Sequence, residues 1–196
     1  MARGAASVRL AEPADAPGIA ALWGEIRSAS NGAGALVSAP TEERVLKALA
    51  AIEADSRARI LVAVADDASG QIVGMAVLQN NVLAPLFDID CVQVSYLHVA
   101  RGWQGRGVGK ALVGEAAALA ESGHVEHVVV SVFPGAREDH RFYARLGFAP
   151  MATRRVVATS VLRRKLNGQP GSTRLEGMLA RRRVLRARGA AQTDPA

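Results

Sequence analysis

Aromatic residues are scarce in this chain of 196 residues: two Trp, two Tyr and four Phe. The core is therefore expected to be aliphatic, built from Val, Leu, Ile and Ala. A single cysteine, Cys91, excludes an intramolecular disulfide. It suits a reducing compartment, so a cytoplasmic location is expected. No apolar run reaches the roughly 20 residues a membrane span needs, and Arg9 with Glu12 breaks up the start in a way a signal peptide would not. Two nucleotide-binding signatures are also missing. A triphosphate loop needs a Gly five residues before its Gly-Lys pair and a Ser or Thr after it, but around Gly109-Lys110 those places hold Gln104 and Ala111. A dinucleotide fingerprint G-x-G-x-x-G would have to end on Lys110 or Leu112, neither of which is Gly. His124, His127 and His140 show no ligand-like clustering, so no metal is expected.

Present instead is Gln104-Gly105-Arg106-Gly107-Val108-Gly109, set between a strand-like and a helix-like run. Three glycines leave backbone amides bare at the positive end of a helix, which is the chemistry of a phosphate cradle. Around it the apolar pattern alternates between strands and helices. Val8 and Leu10 mark a first strand, Asp15 with Pro17 a helix start, and Thr41 the N-cap of a second helix carrying Val45, Leu49 and Ile52. Ile60 to Ala65 and Ile72 to Leu78, joined by Asp66 to Gly70, read as a hairpin. After a looser segment with Pro85 come a fourth strand, Cys91 to Val99, the glycine loop, and a helix ended by Gly123. Val125 to Phe133 is a fifth strand, which must run parallel to the fourth. A short helix from Arg137 to Leu146 follows, and Arg155 to Val161 reads as a last strand.

The net charge of +6 is unevenly spread. Residues 1–153 carry 13 Lys/Arg against 16 Asp/Glu, while residues 154–196 carry 11 against 2. The expected layout is a domain over residues 1–165, a linker over 166–173 and a basic helix and tail over 174–196. Such a tail can contact nucleic acid, but it lacks the aromatics that stack on bases, so only phosphate contacts are open to it and nucleic acid is not the expected partner.

Val99 ahead of the Gln104 loop, and Phe142-Tyr143-Ala144-Arg145-Leu146-Gly147-Phe148 behind it, give two landmarks in order and spacing. Together they resemble the GNAT superfamily of acyl-CoA N-acyltransferases. The likeness covers about residues 8–161 and is most specific from Tyr96 to Pro150. It implies an α/β GNAT fold, a mixed sheet of six to seven strands flanked by helices, with strands 4 and 5 splayed apart. It also implies acetyl-CoA as cosubstrate, an amine acceptor as the other partner, and a family in which homodimers are common. By resemblance, the strand at Leu97, His98 and Val99 holds the pantetheine arm, as a missing neighbour strand would be replaced. Gln104, Gly105, Arg106, Gly107, Val108, Gly109 and Lys110 cradle the pyrophosphate.

Tyr143 matches the family tyrosine that protonates the leaving thiolate. An ordinary phenol, with a pKa of about 10, is nearly matched to that task. The general base is where the chain departs from better-marked relatives: the strand positions that carry Glu or His there are Gln93 and Ser95 here. Asp88 and Asp90 lie upstream, and His98 is the candidate base because imidazole titrates near neutrality. A strand-end His is also a common structural residue, and a water relay or an already neutral amine would need no base. Ala136 stands where many relatives have Asn, and Asp139 where a small residue is frequent. Three readings follow: an N-acetyltransferase acting by direct attack in a ternary complex, a non-catalytic acyl-CoA-binding regulatory module, or a nucleic-acid-associated protein working through its tail. The acceptor is not written in the sequence, although Trp23 to Ser38 and Asn80 to Asp90 are candidate selectivity segments.

Overall fold

A computed structural model describes residues 5–29, 40–54, 57–84, 89–133 and 135–167. The chain divides into two units, Met1–Leu146 and Gly147–Ala196. In the first unit the order is β1 (Ala6–Leu10), α1 (Ala16–Ala29), α2 (Glu42–Ala54), β2 (Ala58–Ala65), β3 (Ile72–Ala84), β4 (Ile89–Val99), α3 (Val108–Ser122), β5 (His127–Val130) and α4 (Arg137–Arg145). The five strands form one sheet in sequence order. β1 to β4 are antiparallel to their neighbours, and β4 and β5 run parallel. The expected mixed sheet with helices on both faces is therefore observed, with five strands among the described residues in place of six or seven.

Side-chain alternation along β2 shows how the two faces are made. Leu61, Ala63 and Ala65 join Val73, Ala76, Leu78, Val92 and Val94 beneath α3, which contributes Val108, Leu112, Ala116 and Ala120. Ile60 and Val62 face the other way, with Ile72 and Met75, against Ile19 and Leu22 of α1 and Val45 and Leu49 of α2. Leu112 and Val62 are fully buried, and each such aliphatic side chain stabilises the fold by roughly 1.5–3 kcal/mol. Asp15 anchors the entry to α1. Both of its oxygens accept from Arg9, at 2.6 and 2.8 Å, and it also accepts from the Glu12 N–H at 2.8 Å. Burial alone would raise its pKa, but these donors hold it below the usual carboxylate range.

β4 is irregular where it matters most. Its register with β3 runs from Val77 opposite Ser95 to Met75 opposite His98, so β4 carries one extra residue. The bulge falls at Tyr96, whose φ of +53° is left-handed. On the other edge, the β4–β5 ladder pairs Cys91 with His127 through Val94 with Val130. The Ser131 N–H still reaches the Val94 carbonyl at 3.2 Å, and there the pairing stops. β5 is accordingly shorter than the Val125–Phe133 run suggested, because its partner bulges away.

β3 continues to Ala84, so most of the segment expected to be loose is strand, while residues 85–88 lie outside the described residues. In the second unit, the expected strand from Arg155 to Val161 is not formed. Residues 151–158 have no regular structure, and Thr159–Leu166 is α5. Val156 and Val157 suggested a strand, but Leu162 and Leu166, four apart among Arg163, Arg164 and Lys165, follow helical spacing. Leu166, placed at the start of the expected linker, closes this helix, and the basic tail lies outside the described residues.

Candidate active site

The loop between β4 and α3 is built to expose donors. Gly105 and Gly107 have φ values of +73° and +90°, conformations a side chain disfavours by roughly 1–2 kcal/mol. Gly107 is the N-cap of α3, and no side chain caps the helix. The first intrahelical bond joins the Ala111 N–H to the Gly107 carbonyl at 2.9 Å. The amides of Val108, Gly109 and Lys110 thus sit at an uncapped, positively polarised helix end. Gln104 braces this loop from below: its side-chain NH2 donates to the Val99 carbonyl at 3.1 Å. The Arg106 guanidinium lies 5.1 Å from the centre of the Trp103 ring, and Lys110 is exposed one turn into the helix. A Cβ on Gly109 would lie 3.4 Å from Phe142 and 3.7 Å from Val99, so at this point α3, β4 and α4 draw close together.

Beyond Val94 the β5-side edge of β4 has no paired strand among the described residues. Leu97 and Val99 direct their side chains to the core beneath α3, and His98 between them faces α1. There His98 Nε2 lies 3.3 Å from Glu25 Oε2. Between the same two elements, α1 and β4, the Trp23 and Tyr96 rings meet with centroids 4.7 Å apart. α4 supplies Tyr143, which is only 7% exposed, with Phe142 edge-on at 5.0 Å. Burial first, and the negative charge of Asp139 second, push the Tyr143 hydroxyl up to about 12. Asp139 itself is raised, first by partial loss of water around its carboxyl and in smaller part by the Glu138 charge, while the electrostatic attraction of His140 and His98 works the other way. His98, Asp139 and Tyr143 therefore form one electrostatic cluster. Asp139 and Tyr143 stand four apart on α4, a spacing that puts them on one helix face.

Gln93 and Ser95 form a neutral network. Gln93 accepts from the Asn81 amide at 2.9 Å and donates to Ser95 Oγ and Ser131 Oγ at 3.2 and 3.3 Å. No ionisable group sits on that part of β4. Asp90 is exposed, and Asp88 lies outside the described residues. Ala136 is the N-cap of α4 and provides no side-chain cap. Among the described residues no group of His, Cys, Asp and Glu could hold a metal, and no helix is long and apolar enough to cross a membrane. A cavity of about 270 Å³ lies between Arg59, Asn80, Leu119 and Gly123. It sits at the far end of α3, about 22 Å from the loop by helical rise, and belongs to a different part of the fold.

The model of the acetyltransferase (GNAT) family matches residues 25–148, the span that holds the glycine loop at its uncapped helix, the open strand edge before it and the buried tyrosine beyond it. The chain belongs to the GNAT acetyltransferase family. Among curated proteins no sequence matches. Solved structures of GNAT enzymes share its fold. A ribosomal-protein-alanine N-acetyltransferase from Brucella melitensis superposes with a TM-score of 0.61 at 20% identity, covering 79% of this chain and 99% of that one. A glucosamine-6-phosphate N-acetyltransferase from Arabidopsis thaliana gives 0.63 at 17% identity, with 79% and 98% covered. An aminoglycoside N-acetyltransferase in complex with CoA gives 0.61 at 15% identity, with 79% and 93% covered. Their names point to a protein alanine in one case and to amino sugars in the other two, so the shared GNAT fold does not select one acceptor.

Proposed function

We propose that the chain is an N-acetyltransferase that moves an acetyl group from acetyl-CoA to a primary amine, on a small molecule or a protein, by direct attack with both substrates bound. The observation that carries this reading is the unpaired edge of β4 beyond Val94, leading directly into the uncapped start of α3. Backbone groups of Leu97 and Val99 bind the amide-bearing arm of the donor as a substitute strand. Amides from Gly105 to Lys110, with the charges of Arg106 and Lys110, hold its pyrophosphate. A backbone N–H from the Leu97–Val99 stretch, on the open edge of β4, stabilises the developing oxyanion. His98 takes the proton that the amine gives up as its nitrogen bonds to the acetyl carbon. Tyr143 gives its proton to the departing sulfur as the C–S bond breaks, and it is then reprotonated from solvent. We place the protein in the cytoplasm, which both the single buried Cys91 and an acyl-CoA donor suit.

A second reading, a non-catalytic acyl-CoA-binding regulatory module, draws on one observation: the neutral Asn81–Gln93–Ser95–Ser131 network occupies the strand where an acid or base would be useful. A screen of amino acids, polyamines, aminoglycosides and protein N-termini or lysines, read by thiol release from acetyl-CoA, separates the two. Under the enzyme reading turnover appears with some amine. Tyr143→Phe then lowers kcat by about 100-fold or more with acetyl-CoA affinity retained. Acetyl-CoA binding without turnover on any amine supports the module.

A further inference from the structure

Three elements distant in sequence converge on His98. Glu25 is 73 residues upstream on α1, Asp139 lies on α4, and His98 itself is the penultimate residue of β4, ahead of the glycine loop. The imidazole is mostly enclosed, with 15% of its side chain exposed, whereas Glu25 is 41% exposed. The contact is specific in one respect: it uses Nε2. A carboxylate can only accept, so Nε2 must carry the hydrogen, and the lone pair of the neutral ring is left on Nδ1. Of the other groups around the ring, Asp139 is within electrostatic reach, the facing residue on β3 is the apolar Met75, and Tyr96 on β4 is occupied with Trp23.

We infer that Glu25 is a positioning residue for the acetyl transfer: it fixes the His98 ring and its tautomer, so that Nδ1 is the atom that receives the proton from the attacking amine. This rests on the acetyltransferase reading for its purpose, though not for its geometry. Glu25 touches neither substrate in this scheme and acts through His98 alone. Once Nδ1 has taken the proton, it passes it on to water, and the Nε2–H contact to Glu25 holds the ring in place throughout. The arrangement also explains how the chain manages without an ionisable side chain at Gln93 or Ser95: the base comes from further along β4, with its orienting carboxylate supplied by α1.

The test pairs a spectroscopic readout with a kinetic one. In nitrogen-15-labelled, ligand-free protein, long-range proton–nitrogen correlations report which nitrogen of neutral His98 carries the hydrogen. The expected result is the Nε2–H form in the wild type and a shift towards Nδ1–H or a mixture in Glu25→Ala. Alanine favours the helix, and an unchanged thermal midpoint confirms that the variant is folded. A wild-type Nδ1–H form, or the same tautomer in both proteins, overturns the inference whether or not an acceptor has been found. With an acceptor in hand, Glu25→Ala should lower kcat about tenfold or more with the acetyl-CoA KM unchanged, and should cause no further loss in a His98→Ala background. A full additional loss there would show that Glu25 acts elsewhere, while acetyl transfer itself would stand.

Discussion

Asp139→Asn tests how Tyr143 is tuned. The Tyr143 hydroxyl is pushed from an ordinary 10.0 up to about 12, with burial as the larger cause and the Asp139 charge as the smaller. Two units correspond to about 3 kcal/mol, so a proton transfer that an ordinary phenol would make on nearly level terms becomes uphill by that amount. Removing the Asp139 charge relieves less than half of the shift, at most about tenfold in the proton-transfer equilibrium. Tyr143 should then titrate between the ordinary value and about 12. The chain has only two tyrosines, so in a Tyr96→Phe background tyrosinate absorbance reports Tyr143 alone. Folding stability gives a second readout. Because the folded-state pKa is raised, the contribution is fully present below pH 10.0 and is lost as pH rises through about 12. The wild type should therefore lose about 3 kcal/mol across that window, and Asp139→Asn should lose less. An ordinary Tyr143 pKa in the wild type, or one unchanged by Asp139→Asn, would refute the reasoning.

Two further substitutions or deletions probe the cofactor cradle and the tail. Gly107→Ala forces a side chain into a φ of +90°. It should cost roughly 1–2 kcal/mol of stability and weaken acetyl-CoA binding by about tenfold, seen by calorimetry; equal affinity would mean that the loop does not hold the phosphates. Deleting residues 167–196 should leave acetyl-CoA affinity nearly unchanged, because every group assigned to the donor lies between Leu97 and Tyr143. A collapse of affinity would assign part of the site to the basic segment.

Local chemistry made some of this molecule readable in its sequence. The Gln104–Gly109 loop was legible because positive φ and bare amides demand glycine at particular places, and β2 with β3 as far as Leu78 because both faces there are apolar and mostly buried. Thr41 capped α2 as its type predicts, with its Oγ accepting from the Arg44 N–H at 3.3 Å. What escaped depended on distant partners. Nothing local to His98 announces Glu25, since only the packing of α1 on the sheet brings them together. The end of β5 is set by the shape of β4 and not by its own valines. Around Val156 the sequence offered two β-branched residues to a strand and a longer i, i+4 pattern to a helix, and the helix prevailed from Thr159 onward.

The bulge at Tyr96 has a consequence for which no side chain is responsible. Ahead of it, the even-numbered Val92 and Val94 face the core beneath α3; behind it, the odd-numbered Leu97 and Val99 do. One extra residue has shifted the phase of the strand, and this turns His98 out of that core and towards Glu25. Shortening the chain by a single residue between Ser95 and Leu97 would restore the original parity, sending the imidazole into hydrocarbon and a leucine or valine towards α1. The arrangement of this candidate site is thus encoded partly as a length: a frame of two that is offset by one where the strand passes from the sheet interior to the glycine loop.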